Sequence, residues 1–242
     1  MAKVSVIIPA AGAGRRFGGK RNKIFERIKD QPVFIRTIEV FSSRDDVCQI
    51  QLVVSAEDME EMKSRFGGHL GFMGVRVVQG GAERAESVRN ALAAVSDEAE
   101  LVCVHDAVRP CVSPIWVDAV FAEAARTGAA ILAYPLHGTL KRVSDAGVID
   151  QTLQRSGLWE AQTPQVFARD VLVKAYAAAI EHVTDDAQLV EATGQAVSVV
   201  MGDPRNIKIT TQADLTLAAA VIGTLPRPKP KGPEHPFAEA QW

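Results

Sequence analysis

The hydrophobic residues of the chain follow two alternating patterns. Short runs rich in valine and isoleucine are separated by longer segments in which apolar residues recur every three or four positions. The short runs are typical of strands buried on both faces, and the longer segments are typical of amphipathic helices. The runs predict strands at residues 4–8, 50–54, 75–78, 101–104, 129–133 and 196–201, and the longer segments predict helices at 33–41, 57–66, 87–95, 116–125, 171–180, 186–193 and 213–222.

This alternation predicts an α/β fold in which a doubly wound, mostly parallel sheet has helices on both faces. Ligands bind at the carboxyl ends of the strands in such sheets, so the loops after the strands are where a site is expected. The pattern breaks at residues 136–159, which are too polar for core and predict a protruding β-arm around an Asp-Ala-Gly turn. We expect residues 1–225 to form a single domain that includes this arm.

The C-terminal segment, residues 226–242, contains five of the twelve prolines of the chain. Because proline fixes φ and removes a hydrogen-bond donor, we expect this segment to be an extended, mobile tail.

Composition excludes several classes of protein. With 47% hydrophobic and 23% charged residues, the chain is neither disordered nor fibrous, and it contains no run of about 20 apolar residues that could cross a membrane. A net charge of −2 argues against a broad basic surface for nucleic acid. Cys48, Cys103 and Cys111 form no CxxC pair and predict reduced, structural thiols. We therefore expect a cytoplasmic protein with no nucleic-acid or membrane partner.

The loop after the first predicted strand combines small residues with cations. Its sequence is PAAGAGRRFGGKRNK, and residues 15–29 contain seven Lys and Arg but one Glu. Small residues let backbone amides approach a phosphate, and the cations supply the opposite charge. The near-neutral total charge therefore conceals one basic segment, which suggests a pocket for a polyphosphate.

Three nucleotide-binding motifs can be compared with this loop. A dinucleotide fold needs GxGxxG, but here the third glycine, Gly18, comes one position late and no acidic residue ends the second strand. A P-loop fits from Gly14 to Lys20, but Arg21 occupies the position that needs a serine or threonine for Mg²⁺. The third alternative is a nucleotidyltransferase loop, in which amides, Arg16 and Lys23 surround the triphosphate of a nucleotide.

The resemblance to a known family becomes specific at this loop. It is similar to the N-terminal signature of the bacterial sugar- and polyol-phosphate cytidylyltransferases. Further segments agree in the same order along the chain: GGAERAESV from Gly80, HDAVRP from His105, LWEAQTPQVF from Leu158, TDDAQLVE from Thr184 and NIKIT from Asn206. The resemblance extends over residues 3 to about 222. It implies a Rossmann-like nucleotidyltransferase fold and an Mg²⁺-dependent enzyme that transfers CMP from CTP to a polyol phosphate and releases pyrophosphate.

Asp106 is the candidate metal ligand. It ends a buried strand, where an unpaired carboxylate would be costly, so it should meet a cation. Magnesium bridging the phosphates suits this position, and an ion pair with Arg109 is the alternative. His105 beside it is more typical of a packed structural histidine than of a base, because a phosphate acceptor needs no deprotonation.

The resemblance also assigns roles to individual residues. It implies that Arg16, Lys23, Arg155 and Lys208 are catalytic and that Asp106 also lies at the acceptor. For CTP it implies Ala10, Ala11, Gly12, Gly14, Gly81, Ser87 and Ala107; for the acceptor it implies Thr139, Arg155, Thr163, Thr184 and Lys208. It further implies a homodimer in which the arm carries Arg155 into the site of the neighbouring subunit.

Two alternatives remain for the function. Ribitol 5-phosphate could be the acceptor, although Arg155 and the LWEA run favour 2-C-methyl-D-erythritol 4-phosphate, an intermediate of isoprenoid precursor synthesis. From another class, the chain could be a non-catalytic module that only binds a nucleotide.

Overall fold

The computed structural model describes residues 1–12, 17–18, 22–177 and 183–228, and the statements below concern these residues. Gly14 and Arg16, and the proline-rich tail from residue 229 onward, lie outside them. The described residues form eleven strands: β1 (Val4–Pro9), β2 (Arg27–Ile28), β3 (Gln31–Pro32), β4 (Val47–Val54), β5 (Val75–Gln79), β6 (Leu101–Val104), β7 (Ala129–Pro135), β8 (Leu140–Val143), β9 (Ile149–Leu153), β10 (Trp159–Ala168) and β11 (Ser198–Met201). They also form seven α-helices: α1 (Val33–Ser42), α2 (Met59–Phe72), α3 (Arg84–Leu92), α4 (Pro114–Thr127), α5 (Arg169–Ala177), α6 (Asp186–Ala192) and α7 (Gln212–Val221).

Seven strands form one central sheet in the order β11-β7-β10-β6-β1-β4-β5. Neighbouring strands are parallel except at β10, which runs antiparallel to both β6 and β7. The carboxyl ends of β1, β4 and β6 therefore share an edge with the amino end of β10. The structure confirms the predicted α/β fold with a doubly wound, mostly parallel sheet.

The two faces of the sheet are covered by different helices. Successive side chains of a strand point to opposite faces, so Val6 and Ile8 of β1 pack in one hydrophobic cluster and Ile7 packs in the other. The first cluster includes buried residues of α1, α2, α4 and α7, and the second includes buried residues of α3, α5 and α6. Burial on both faces explains why the strands read as continuous apolar runs.

Several predicted elements differ from the structure in their bounds, and one strand of the structure was not predicted. The helix predicted at 171–180 is α5, which begins at Arg169, and residues 178–180 lie outside the described residues. Helix α2 continues to Phe72, beyond the expected end at residue 66, and α3 begins at Arg84 instead of residue 87 because Glu83 and Glu86 form a capping box. Strand β10 is absent from the sequence-based prediction altogether. The segment after the glycine loop forms a 3₁₀ turn, Lys23–Phe25, and the β2–β3 hairpin. A P-loop would need a helix to begin there, so this geometry argues against that alternative.

Strands β8 and β9 form a separate two-stranded sheet within residues 136–159, as the predicted arm requires. Gly147, in the turn between them, has a φ of 75°, a left-handed conformation that glycine adopts without strain. Val143, Val148 and Ile149 of the arm are more than half exposed.

None of the helices described here is both long and apolar enough to cross a membrane. Cys48, Cys103 and Cys111 are free thiols.

His105 directly follows β6 and is completely buried. Its ring lies 5.3 Å from the ring of Phe41, Nδ1 is 3.1 Å from Thr163 Oγ1, and Nε2 is 3.1 Å from the Arg109 carbonyl oxygen. Burial lowers the pKa of His105 to about 4. The histidine is therefore neutral and structural in the folded protein, with both ring nitrogens engaged.

We expect His105 to make the free energy of unfolding fall as pH is lowered from 6.5 to about 4. In this window His105 is protonated in the unfolded chain but not in the folded chain. Protonation therefore stabilises the unfolded state relative to the folded state by about 3 kcal/mol. Denaturant titrations at several pH values measure this loss. It should be smaller in His105→Gln, whereas His69→Gln, at an exposed position, should follow the wild type. Equal pH dependence in the wild type and His105→Gln would contradict the prediction.

Candidate active site

Two adjoining cavities lie at the edge of the sheet where β1, β4 and β6 end. The larger has a volume of about 420 Å³ and the smaller about 200 Å³. Arg84, Asp106 and Lys208 line both cavities. The two spaces therefore meet at one group of charged side chains.

The larger cavity collects most of the described residues expected to bind CTP. It is lined by Ala10, Ala11, Gly12, Lys23, Gly81 and Ser87. The backbone of Ala10 continues β1, since its N–H donates to the Val53 carbonyl at 2.7 Å. Apart from Lys23 these residues are small, so they form a cavity wall whose backbone a nucleotide can approach closely.

The Gly81 loop is held by the first turn of α3. The Gly81 N–H donates to Ser87 Oγ at 3.1 Å, and the Ser87 hydroxyl donates to the Glu83 carbonyl at 3.1 Å. A Cβ added to Gly81 would lie 2.5 Å from Glu86 Cβ, so a larger residue would displace the loop. Ser87 thus shapes the cavity as well as lining it.

Ala107 is placed differently. It is buried and lines neither cavity. Its N–H donates to the Pro9 carbonyl at 3.2 Å and its carbonyl accepts from Thr37 Oγ1 at 2.9 Å. In this structure it supports the wall formed after β1.

Asp106 is buried and surrounded by cations. Its carboxylate lies 2.8 Å from Lys208 Nζ, 3.3 Å from Arg84 Nε and 3.6 Å from Arg109 Nε. Burial alone would raise the pKa of Asp106, but Arg84, Lys208 and Arg109 outweigh it and hold the pKa well below its usual range. The carboxylate is therefore ionised, and the ion pair with Arg109 that the sequence left open is present.

Arg84 connects Asp106 to a second buried carboxylate. Its guanidinium donates to Asp186 Oδ2 at 2.7 Å, and the Tyr176 hydroxyl donates to the other oxygen of Asp186. Burial disfavours the charged guanidinium, but Asp186 and Asp106 outweigh this and raise the pKa of Arg84. Sequence reasoning assigned no role to Arg84, although it lies in the GGAERAESV segment between Gly81 and Ser87.

The smaller cavity contains the described acceptor residues that lie outside the arm. Thr163 and Thr184 line it together with Asp106 and Lys208. Thr163 Oγ1 accepts a hydrogen bond from the Asp106 N–H at 3.1 Å, and Thr184 Oγ1 donates to Gln188 Oε1 at 3.1 Å. Thr139 and Arg155 line neither cavity; Arg155 donates instead to the His137 carbonyl within the arm.

Lys208 lies in a loop after β11, and hydrogen bonds hold this loop on both sides of the lysine. Arg109 donates to the Asn206 carbonyl at 2.7 Å, and the Ile209 N–H donates to the Val108 carbonyl at 2.9 Å. The backbone on both sides of Lys208 is therefore fixed to the segment after Asp106, while the lysine side chain remains 39% exposed.

The site can offer a metal ion one protein carboxylate, which suits an ion that is also bound by the phosphates of a substrate. Among the residues that the structure describes, no group of three His, Cys, Asp or Glu side chains could hold a metal ion alone. Asp106 offers one ionised carboxylate at the junction of the cavities. Mg²⁺ commonly binds through one or two carboxylates together with substrate phosphates, so a single carboxylate suits it.

Comparisons with known proteins agree with this geometry. The family model for 2-C-methyl-D-erythritol 4-phosphate cytidylyltransferase matches residues 4–224. The cytidylyltransferase of that name from Rhodopirellula baltica is 44% identical over 91% of this chain and 95% of its own length, and that from Symbiobacterium thermophilum is 45% identical over 90% and 92%.

Solved structures show the same fold. The crystal structure of 2-C-methyl-D-erythritol 4-phosphate cytidylyltransferase from Thermus thermophilus superposes with a TM-score of 0.77 at 32% identity. The match covers 91% of this chain and 99% of that one. The matched family model, the sequence relatives and the shared architecture together show that the chain belongs to the 2-C-methyl-D-erythritol 4-phosphate cytidylyltransferase family.

Proposed function

We propose that the chain transfers the CMP group of CTP to the phosphate of 2-C-methyl-D-erythritol 4-phosphate and releases pyrophosphate. The observation that carries this proposal is the meeting of two cavities at Arg84, Asp106 and Lys208. CTP would occupy the larger cavity, beside Ala10, Gly81 and Ser87, and the polyol phosphate the smaller. Membership of the family favours the erythritol phosphate over ribitol 5-phosphate and over a module that only binds nucleotide.

The reaction is an in-line displacement at the α-phosphorus of CTP. An oxygen of the acceptor phosphate forms a new bond to this phosphorus while the bond to the β-phosphate oxygen breaks, and pyrophosphate carries away the electron pair. The acceptor oxygen is already anionic, so the protein needs no general base. Its task is to align two anions and neutralise the charge that builds up between them.

Cations on two sides of the junction suit this task. Lys208 reaches both cavities, so its ammonium can move from Asp106 to the acceptor phosphate or to the transition state. Lys23 lines the larger cavity, where we place the triphosphate, and we place Arg16 on the same phosphates. Asp106 is the residue we propose to hold Mg²⁺, which neutralises triphosphate oxygens when it is bound.

The arm is proposed to join two copies of the chain. A two-stranded ribbon is marginally stable alone, and the exposed side chains of Val143, Val148 and Ile149 give it an apolar surface to bury. In a two-fold dimer, Thr139 and Arg155 of one arm would complete the acceptor cavity of the other subunit. We further propose that the enzyme acts in the cytoplasm, whose reducing conditions suit its free thiols.

An assay with CTP, Mg²⁺ and each polyol phosphate tests the reaction. We expect pyrophosphate and a CDP-linked product with 2-C-methyl-D-erythritol 4-phosphate. Turnover of ribitol 5-phosphate alone would overturn the choice of acceptor. CTP binding without turnover of either acceptor would indicate a binding module, and phosphate release from ATP alone would indicate a P-loop ATPase.

We expect Lys208→Ala and Arg16→Ala to lower the rate of CDP-product formation about a hundred- to thousandfold, because each removes a cation from the phosphates. Lys63→Ala, at an exposed position on α2, is the matched control and should retain wild-type turnover. Circular dichroism and thermal unfolding verify that all three variants are folded. Wild-type rates in both site variants would show that the phosphates bind elsewhere.

Mixing two inactive variants tests whether the arm acts between subunits. Arg155→Ala and Lys208→Ala should each be nearly inactive, but a heterodimer contains one site with both residues intact. Co-refolding equal amounts should therefore restore about one quarter of wild-type activity. Sedimentation verifies the dimer. A monomeric protein, or no recovery in a verified heterodimer, would contradict a shared site.

A further inference from the structure

Asn22 lies directly before Lys23, at the start of the 3₁₀ turn formed by Lys23–Phe25. Its side-chain oxygen accepts a hydrogen bond from the Ile24 N–H at 3.3 Å and so caps this turn. Capping fixes the direction in which the turn begins. The backbone that carries Lys23 is therefore tied to the side chain of the preceding residue.

The amide nitrogen of Asn22 makes two further contacts on the other side. It donates to Asp58 Oδ2 at 2.8 Å and to the Ala10 carbonyl at 3.2 Å. Ala10 follows β1 and lines the larger cavity, whereas Asp58 lies just before α2, after the end of β4. One side chain thus joins the Lys23 turn to the loops that follow two neighbouring strands.

Asp58 is itself held in place for this contact. Ser55 Oγ donates to Asp58 Oδ2 at 2.8 Å, and the Asp58 N–H donates to Ser55 Oγ at 3.1 Å. Asp58 lines neither cavity. The carboxylate is therefore placed to receive Asn22 and not to meet a substrate directly.

The opposite end of the turn is anchored by packing. Ile24 and Phe25 are buried, and the Phe25 ring stacks on Phe66 with ring centroids 5.8 Å apart. Lys23 is thus held between an apolar anchor on its C-terminal side and the Asn22 hydrogen bonds on its N-terminal side. Loss of either anchor would let the lysine backbone shift relative to Ala10.

We propose that Asn22 is a positioning residue that fixes Lys23 at a set distance from the Ala10 wall of the nucleotide cavity. This inference rests on the proposed function, because it assumes that Lys23 contacts the triphosphate of CTP. Asn22 itself lines the larger cavity, but its side-chain oxygen and nitrogen are hydrogen-bonded to Ile24, Asp58 and Ala10. It therefore acts through Lys23 and the loop backbone, so its effect should appear in the use of CTP and should vanish when the lysine is absent.

Asn22→Ala removes all three side-chain hydrogen bonds. Asn22→Asp keeps the size and the capping oxygen but loses both donations, and it places a second carboxylate beside Asp58. Misplacement of a reacting group by about 1 Å can cost up to a hundredfold in rate, so we expect kcat/KM for CTP to fall about ten- to hundredfold in both variants. The KM for the polyol phosphate should remain within about twofold. Asn90→Ala, on an exposed face of α3 outside both cavities, is the matched control.

A double-mutant cycle with Lys23→Ala separates positioning from a general structural role. If Asn22 acts through Lys23, Asn22→Asp should lower kcat/KM for CTP less than about twofold further when Lys23 is already alanine. The same ten- to hundredfold drop in that background would overturn the inference. So would wild-type kcat/KM for CTP in Asn22→Asp, or in Lys23→Ala alone.

Failure of the proposed function would look different, since the wild-type protein itself would then give no CDP-linked product. Thermal unfolding of each variant is recorded in parallel. If Asn22→Ala does not fold, Asn22→Asp is used for the test, because its side-chain oxygen can still accept the capping hydrogen bond from the Ile24 N–H.

Discussion

A single buried carboxylate, that of Asp106, constrains the whole site. An ionised carboxylate that is only 5% exposed is tolerated only when cations surround it. Two of these cations come from distant parts of the sequence, Arg84 at the start of α3 and Lys208 after β11, and the third, Arg109, lies three residues after Asp106. Balancing one charge therefore fixes three segments against one another, and the two cavities meet where these segments converge.

A second buried carboxylate, that of Asp186, also needs a cation to balance its charge. Arg84 also balances the buried carboxylate of Asp186, which Tyr176 contacts from α5. Arg84 belongs to the segment that borders the larger cavity, and Asp186 begins the helix that follows Thr184 in the smaller one. The guanidinium of Arg84 thus sets the spacing between the start of α3, beside the larger cavity, and the start of α6, beside the smaller cavity. An in-line displacement needs such fixed spacing, because attacking and leaving groups must stay aligned.

The apolar sequence patterns predicted most of the fold. The strand at 101–104 has the predicted bounds, because all of its residues are both apolar and buried. Strand β10 could not be found this way, since Gln162, Thr163 and Gln165 interrupt its apolar residues. These polar side chains are buried because each finds a partner; Gln165 Oε1, for example, accepts from the Asp186 and Ala187 N–H groups. Hydropathy does not show which polar groups will be satisfied.

The residues of the candidate site likewise fall into those that the sequence identified and those that only the structure revealed. Motif resemblance found Asp106, Lys208, Thr163 and Gly81, which the structure brings to the two cavities. It gave no role to Arg84 or Asn22, whose contacts are with other protein groups and depend on tertiary placement. A residue that holds other residues in place has no spacing rule of its own in the sequence.

The direction of β10 explains where the arm emerges. Strand β7 ends at the edge of the sheet that carries the site, and β10 begins there, as the pairing of Trp159 with Pro135 shows. The chain between them, including β8 and β9, must therefore leave and return at the same edge. A parallel β10 would have required a crossover to the opposite edge, far from the cavities. The antiparallel strand thus places Thr163 beside Asp106 and makes the arm leave the sheet at the edge that carries the site.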